Sequence, residues 1–169
     1  AKTQLAPESL RRVHPLGKSP VITDGEVTLA ESGAIIDYLV ERHGEGRLAP
    51  AAGSAERQRY RYWLHYAEGS AMPPLLLKLV FNEVERAPMP FFVKPIAKAI
   101  SGRVKASFIE PQLRRHLDFQ EAELGRSLWF AGDEFSAADI QMSFPVQAAA
   151  ARGGLGAQRP QLAAFVQRI

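Results

Sequence analysis

The 169-residue chain contains no cysteine. Within these residues, this excludes a disulfide framework, a thiolate zinc site, a cysteine nucleophile and a Cys-x-x-Cys redox pair. The chain also lacks any apolar run close to the roughly 18 residues that a membrane-spanning helix needs. Long runs of one charge sign are absent too, because 21 basic and 18 acidic residues are interleaved and leave a net charge of +3. We therefore expect neither a nucleic acid nor a membrane as a partner.

Several catalytic signatures are missing as well. The four histidines lie far apart and none belongs to an HExxH pattern, so we expect no metal site. The phosphate-binding GxxxxGK[ST], the dinucleotide-binding GxGxxG and the hydrolase GxSxG patterns do not occur. With 46% hydrophobic and 23% charged residues, the composition is that of a globular protein with a sizeable core.

The character of the sequence changes near residue 50. Before that point, Asp24-Gly25 separates two β-prone runs, which predicts a hairpin because glycine tolerates the positive φ of a tight turn. Glu31 and Ser32 follow the hairpin and open a predicted helix that ends at Gly44. The chain before residue 50 is therefore predicted to fold as strand, turn, strand and helix.

Beyond residue 50, apolar residues recur at helical spacing. The pattern predicts a helix over Ser54 to Gly69, a kink or an interruption at Pro73-Pro74, and a resumed helix from Leu75 to Glu85. Further on, Ser136 and Asp139 form a capping-box pattern, in which the serine caps a helix start and the carboxylate reaches back. We interpret these two residues as structural.

One stretch groups polar residues that suit a peptide ligand. Ser19-Pro20 is a candidate cis bond, and such a bend would leave the backbone of Ser19 free to pair with an extended peptide. At the predicted helix start, free N–H groups and the Ser32 hydroxyl suit a carboxylate, while Glu31 would hold a cation. Lys18 could hold a second carboxylate. Each residue has a simpler alternative, with Ser32 as a plain N-cap and Lys18 as a surface lysine.

This stretch resembles the glutathione transferase family. The resemblance is carried by Gly17-Lys18-Ser19-Pro20, the Asp24-Gly25 hairpin, Leu29-Ala30-Glu31-Ser32 and, downstream, the box from Phe135 to Ile140. It implies that Glu31 and Ser32 bind the γ-glutamyl end of glutathione. It further implies that Ser19, before a structural cis-Pro20, pairs with the cysteinyl unit and that Lys18 lies near the glycyl carboxylate.

The same resemblance implies a fold and an arrangement of domains. A thioredoxin-like α/β domain without its first β-α-β elements would span residues 1–46. A linker would occupy residues 47–53, and an all-helical bundle would occupy residues 54–169. The family's thiol-activating Tyr, Ser or Cys has no counterpart in this chain, so the catalytic residue is unknown and is expected in a missing N-terminal segment.

The implied activity is attack of the glutathione thiolate on a hydrophobic electrophile, in a cytoplasmic homodimer that serves detoxification. Two alternatives remain open: a non-catalytic, transferase-like interaction module, and a glutathione-dependent reductase or peroxidase. The electrophile pocket should lie between the halves, with Tyr62, Tyr66 and Ser70 as candidates because of their i+4 spacing. These side chains could instead fill the core or a dimer contact. Glu68 on the same helix could reach the ligand of a neighbouring subunit.

Overall fold

The computed structural model describes residues 6–152 and 154–169, so the first five residues of the predicted 1–46 domain lie outside it. A small antiparallel hairpin with two helices is followed by helices alone, as the predicted fold class requires. The described elements are α1 (Glu8–Val13), β1 (Val21–Asp24), β2 (Val27–Ala30), α2 (Ser32–His43), α3 (Ala55–Tyr66), α4 (Met72–Arg86), α5 (Lys94–Val104), α6 (Glu110–Leu124), α7 (Ala137–Ala151) and α8 (Pro160–Arg168). The sequence patterns did not predict the short helix α1.

The predicted hairpin is confirmed, and its turn is tied to α2. Asp24 pairs with Val27, and Gly25 between them has a φ of 60°, which glycine adopts without steric penalty. The Asp24 carboxylate accepts hydrogen bonds from the Tyr38 hydroxyl at 2.9 Å and from His43 Nε2 at 3.0 Å. The bonds from His43 and Tyr38 hold the pKa of Asp24 below its usual value. These contacts fix the helix against the hairpin.

Two π-helical turns make the helices after residue 54 differ from the predicted ones. The predicted helix over Ser54 to Gly69 ends as an α-helix at Tyr66, and a π-helical turn over Ala67–Ala71 leads directly into α4. Pro73-Pro74 therefore lies in the first turn of α4 and does not interrupt the helix. The reason is steric: a proline ring meets the carbonyl four residues earlier, and for both prolines that carbonyl lies in the π turn.

A second π turn accommodates the proline at the start of α6 in the same way. This turn covers Lys105–Ile109 and precedes α6, whose first turn contains Pro111. The carbonyl that the Pro111 ring would meet belongs to Ser107, inside that turn. In both places the helix thus stays continuous by widening where proline would otherwise break it.

Helix α7 is the centre of the helical region. It packs against α2, α3, α4 and α8, and six of its apolar side chains are fully buried. The core around it contains the large buried side chains Tyr60, Trp63, Ile109, Phe130, Met142, Val146, Leu162 and Phe165. A rigid α7 therefore provides the platform on which α2 rests.

The start of α7 is held by a buried carboxylate. Asp139 accepts hydrogen bonds from the Ser136 N–H and hydroxyl, both at 2.9 Å, and from the Phe130 N–H at 2.9 Å. Burial raises the pKa of Asp139 although these three bonds favour the ionised form. One side chain thus joins the helix start to the preceding loop.

Contacts across the linker fix the hairpin region on the helices. The Ala137 N–H donates to the Leu48 carbonyl at 2.8 Å, and the Tyr60 hydroxyl donates to Asp37 Oδ1 at 3.4 Å. The first connects the linker with α7, and the second connects α3 with α2. Together they set the start of α2 beside α7.

Candidate functional site

A cavity of about 520 Å³ lies where the start of α2 meets α7. The structure brings four predicted ligand-binding residues and the predicted structural proline together around it: Lys18, Ser19, Pro20, Glu31 and Ser32. Five further residues complete the lining: Ile36, Glu68, Ile140, Gln141 and Phe144. The peptide bond between Ser19 and Pro20 is cis.

Glu31 has an unusual backbone conformation. It is the N-cap of α2, with φ 75° and ψ 116°. A non-glycine residue in this region is destabilised by about 1–3 kcal/mol and is retained where the surroundings impose it. Such outliers concentrate at ligand-binding sites, and this one lines the cavity.

The start of α2 is open to a ligand. Within the described residues, no side chain caps the N–H groups of its first turn, whereas Ser54 caps α3 by accepting from the Arg57 N–H at 3.1 Å. Uncapped N–H groups and the positive end of the helix dipole attract an anion. Ser32 is thus the first residue of the helix and not its N-cap. The alternative interpretation of Ser32 as a plain N-cap is therefore wrong.

The Ser32 hydroxyl belongs to a triangle of side chains from three elements. It donates to Glu68 Oε1 at 3.3 Å and accepts from Gln141 Nε2 at 2.9 Å. The third side is closed by Gln141 Nε2, which donates to Glu68 Oε1 at 3.2 Å. The triangle joins α2, the first π turn and α7, so Ser32 is oriented from both sides.

Sequence reasoning missed two features of this triangle. The role of Gln141 was not predicted, because this residue belongs to no sequence motif. It lies two residues after Asp139, on the helix whose start the capping box holds. Glu68 could reach a neighbouring subunit's ligand, which stays a prediction, but its contact with Ser32 of its own chain was not predicted. The π turn widens the backbone at Glu68, and such turns occur often at functional sites.

The conformation of Glu31 leads to a test. Replacing Glu31 by glycine relieves the positive φ, so we expect Glu31→Gly to be about 1 kcal/mol more stable than Glu31→Ala. Chemical denaturation of the two variants measures this difference directly. Equal stability, or a less stable glycine variant, would contradict a strained backbone at this position.

A second cavity, of about 670 Å³, contains the residues predicted for the electrophile. Tyr62, Tyr66 and Ser70 line it together with His65, Arg115, His116 and Phe119. All of its lining residues belong to the helical region, and none also lines the first cavity. The structure therefore does not bring these three residues together with Lys18, Ser19, Glu31 and Ser32.

The second cavity has a polar pair at its wall. The Tyr66 hydroxyl lies 2.6 Å from His116 Nδ1, and Gln120 Nε2 donates to the same hydroxyl at 3.5 Å. Burial raises the pKa of Tyr66 to about 12 and lowers the pKa of His116. Tyr66 and His116 are thus a neutral, hydrogen-bonded pair at pH 7, and neither group supplies a charge to this cavity.

Two classes of site are not found in the part of the chain that the structure describes. Over residues 6–152 and 154–169, no three His, Asp or Glu side chains are grouped so as to hold a metal ion. None of the described helices is both long and apolar enough to cross a membrane.

The sequence matches two family models. One, described as Glutathione S-transferase, N-terminal domain, matches residues 2–47. The other, described as Glutathione S-transferase, C-terminal domain, matches residues 89–169. The first model covers the hairpin and α2, and the second covers α5 to α8.

Curated relatives carry the same description. The chain is 33% identical to Glutathione S-transferase 3 of Schizosaccharomyces pombe over 144 residues, which are 85% of this chain and 59% of that protein. It is 30% identical to Glutathione S-transferase 1 of Saccharomyces cerevisiae over 85% of this chain and 64% of that protein. It is also 32% identical to Glutathione S-transferase 3 of Zea mays, over 93% of this chain and 68% of that protein. The chain thus spans less than two thirds of the first two relatives.

A solved structure is similar to this chain in fold. A sphingomonad glutathione S-transferase complexed with glutathione matches with a TM-score of 0.69 and 27% sequence identity. The match covers 95% of this chain and 72% of that chain.

Proposed function

The chain belongs to the glutathione S-transferase family, and we propose that it binds glutathione at the start of α2 and transfers it to a hydrophobic electrophile. The observation that carries the proposal is the uncapped first turn of α2, with Ser32, Glu31 and Glu68 in one cavity. A carboxylate and an ammonium group held side by side are the recognition features of an α-amino-acid end. The γ-glutamyl end of glutathione carries both.

The charges around the cavity support a definite orientation of glutathione. The α-carboxylate would accept from the N–H groups of the first turn of α2 and from the Ser32 hydroxyl, whose single proton would turn from Glu68 Oε1 to the ligand. The α-ammonium group would lie between the carboxylates of Glu31 and Glu68, whose negative charges disfavour a second anion there. In this orientation, Gln141 holds Ser32 and Glu68 in place on either side of the ligand.

The remainder of glutathione would extend toward the hairpin. The backbone of Ser19, beside the cis bond, would pair with the cysteinyl unit as an added strand does. Lys18 would lie near the glycyl carboxylate and supply the positive charge at that end. A cavity of about 520 Å³ is within the range of small-molecule sites, roughly 300–1,000 Å³.

The electrophile must reach the sulfur, and this requirement favours the first cavity. Reacting atoms have to approach to about 3–3.5 Å. Ile36, Ile140 and Phe144 line the same cavity as the glutathione-binding residues and offer an apolar wall to a hydrophobic electrophile. We therefore propose this wall for the electrophile in preference to Tyr62, Tyr66 and Ser70, whose cavity shares no lining residue with it.

The reaction itself would be a nucleophilic displacement or addition. The glutathione thiolate forms a carbon–sulfur bond with the electrophile, whose leaving group departs or whose double bond takes up a proton. A hydrogen-bond donor to the sulfur would lower the pKa of the thiol and raise the thiolate fraction. The residue that would donate this hydrogen bond to the sulfur has no counterpart among the residues of the site described above, and its presence in an N-terminal segment stays a prediction. The family resemblance also supports a cytoplasmic homodimer that acts in detoxification.

The product of the reaction distinguishes the proposed function from its alternatives. The full protein is incubated with glutathione and an aromatic electrophile, or with glutathione and a mixed disulfide, and the products are identified by mass spectrometry. A thioether supports the transferase. Reduction of the disulfide without a thioether would support the reductase, and glutathione binding without turnover would support the interaction module.

Gln141 offers a sharper test of the orientation. Gln141→Ala removes the amide that donates to both Ser32 and Glu68, so we expect the KM for glutathione to rise about tenfold while kcat changes little. Gln167→Ala, an exposed glutamine on α8, is the matched control. A fall in kcat at unchanged KM would contradict a role in orienting the glutathione-binding side chains.

A further inference from the structure

A third cavity, of about 150 Å³, lies between α4, α6, the end of α7 and the start of α8. It shares no lining residue with the first cavity or with the second. Four basic side chains line it: Lys78, Arg114, Arg152 and Arg159. The proposed transferase reaction makes no use of this cluster.

Helical spacing directs the cavity residues of each helix to one side. Those of α6 follow the i, i+3, i+4, i+7 pattern of a single face: Glu110, Leu113, Arg114 and Leu117. On the two neighbouring helices a basic residue lies three positions after an apolar one, Lys78 after Leu75 on α4 and Arg152 after Ala149 at the end of α7. The apolar members are buried in the core. The basic side chains therefore converge above an apolar floor.

Two of the four cations are held by carboxylates. Lys78 Nζ pairs with Glu110 Oε1 at 3.0 Å, and Arg159 Nη2 pairs with Asp118 Oδ1 at 2.7 Å. The Arg159 guanidinium also donates from Nη1 to the Gly154 carbonyl at 2.7 Å. The side chains of Lys78 and Arg159 are only 19% and 12% exposed. These pairs thus fix two sides of the cavity in a definite geometry.

The other two cations have no carboxylate partner. Over residues 6–152 and 154–169, neither Arg114 nor Arg152 forms a salt bridge, and Arg152 donates one long hydrogen bond, from Nη1 to the Ala148 carbonyl at 3.4 Å. A guanidinium has five N–H donors, so most donors of this pair have no acceptor in the described part of the chain. When the four cations are balanced against Glu110 and Asp118, two positive charges remain.

The neighbouring helix ends explain only part of this charge. Arg152 directly follows α7, whose negative end stabilises a cation. Arg114 has no such role, because it lies inside the helix that runs from α5 through the second π turn into α6. The first N–H groups of α8 are occupied, since Glu121 accepts from the Gln161 and Leu162 N–H groups, both at 2.9 Å. An anion in this cavity would therefore be bound by side chains and not by a helix start.

We propose that the third cavity binds a small oxyanion with two negative charges, of the phosphate class. Guanidinium groups match this anion because their planar donors bind two oxygens at once. The volume is about five times the roughly 30 Å³ of one water and well below the roughly 300 Å³ at which sites for larger ligands begin. A single tetrahedral anion fits such a space. The proposal is independent of the proposed enzymatic function.

Calorimetric titration of the full protein with inorganic phosphate, in chloride buffer at constant ionic strength, tests the proposal. We expect saturable binding at this cavity with a dissociation constant of about 1 mM or lower. Arg114→Gln with Arg152→Gln should weaken this binding at least about tenfold, because it removes both guanidinium groups that lack a carboxylate partner. The single variant Arg114→Gln, at an exposed position, should weaken it several-fold and keeps the test valid if the double variant unfolds.

The matched control is Arg61→Gln with Arg103→Gln, which removes the same amount of charge at exposed positions outside the cavity. It should bind phosphate as the wild type does. Phosphate bound at the start of α2 would be affected by neither double variant, so the comparison separates the two sites. Unchanged affinity in Arg114→Gln with Arg152→Gln, an equal loss in both double variants, or the absence of saturable binding would each overturn the proposal.

The same titration with glycerol phosphate identifies the source of the anion. Tighter binding than that of inorganic phosphate would assign the cavity to the phosphoryl group of a monoester, and weaker binding would assign it to free phosphate. Both results support a site of the phosphate class. Retention of Arg114→Gln with Arg152→Gln on immobilised glutathione should equal that of the wild type, because the first and third cavities share no residue.

Discussion

Asp139→Ala is expected to lower the free energy of unfolding by about 3–5 kcal/mol, the largest effect on stability of any substitution considered. The carboxylate is fully buried and accepts three hydrogen bonds, from the N–H groups of Phe130 and Ser136 and from the Ser136 hydroxyl. Alanine would leave these buried donors without an acceptor, and each orphaned donor is destabilising by about 1–3 kcal/mol. Helix α7 would lose its cap and its link to the loop before it.

Thermal and chemical denaturation check this expectation, with Asp139→Asn as the graded comparison. Asparagine keeps one acceptor oxygen and presents its NH₂ group to a donor, so we expect a loss of roughly half the alanine effect. Glu134→Ala, an exposed acid in the preceding loop, is the control and should change stability by less than about 0.5 kcal/mol. A loss below about 1 kcal/mol in Asp139→Ala would contradict the structural role assigned to this residue.

Glu31→Ala combined with Ser32→Ala is expected to weaken glutathione binding at least about a hundredfold, which corresponds to about 2.7 kcal/mol. The double variant removes a carboxylate and a hydroxyl that line the cavity at the open end of α2. Both side chains are proposed to contact charged groups of glutathione. Hydrogen bonds to charged groups are about twice as strong as neutral ones, so the loss of each contact should weaken binding strongly.

Retention on immobilised glutathione, followed by elution with free glutathione, measures this loss. Glu26→Ala in the hairpin turn, an exposed acid outside the cavity, should be retained like the wild type. Unchanged retention of the double variant at an unchanged melting temperature would show that the site lies elsewhere.

The sequence predicted the parts of the fold that depend on neighbouring residues. The hairpin at Gly25, the start of α2 at Ser32 and the capping-box pattern of Ser136 and Asp139 are encoded within a few positions of the chain. In each case a turn glycine or a helix-start pattern specifies the local backbone directly. Four of the cavity residues, Lys18, Ser19, Glu31 and Ser32, were proposed from such local patterns together with the family resemblance.

The parts that the sequence did not predict depend on distant contacts. Gln141 contacts Ser32 across 109 residues, and Glu68 contacts it across 36, so no local pattern announces either bond. The π turn at Glu68 could have been inferred from Pro73-Pro74, because a continuous helix must widen at the carbonyls that the proline rings meet. The i+4 spacing of Tyr62, Tyr66 and Ser70 gave a shared helix face, but it could not tell which cavity that face borders.

A calorimetric titration with two ligands tests most directly whether the start of α2 binds the γ-glutamyl end of glutathione. Glutathione and its deamino analogue, which lacks the α-ammonium group, are each titrated into the wild type and into Glu31→Ala with Ser32→Ala. We predict that the wild type binds the analogue at least about tenfold more weakly than glutathione, and that this ratio of dissociation constants falls several-fold in the double variant, in which Glu68 alone remains near the ammonium group. The same ratio of dissociation constants in both proteins would contradict the assignment, because Glu31 and Ser32 would then make no contact with that end of the ligand.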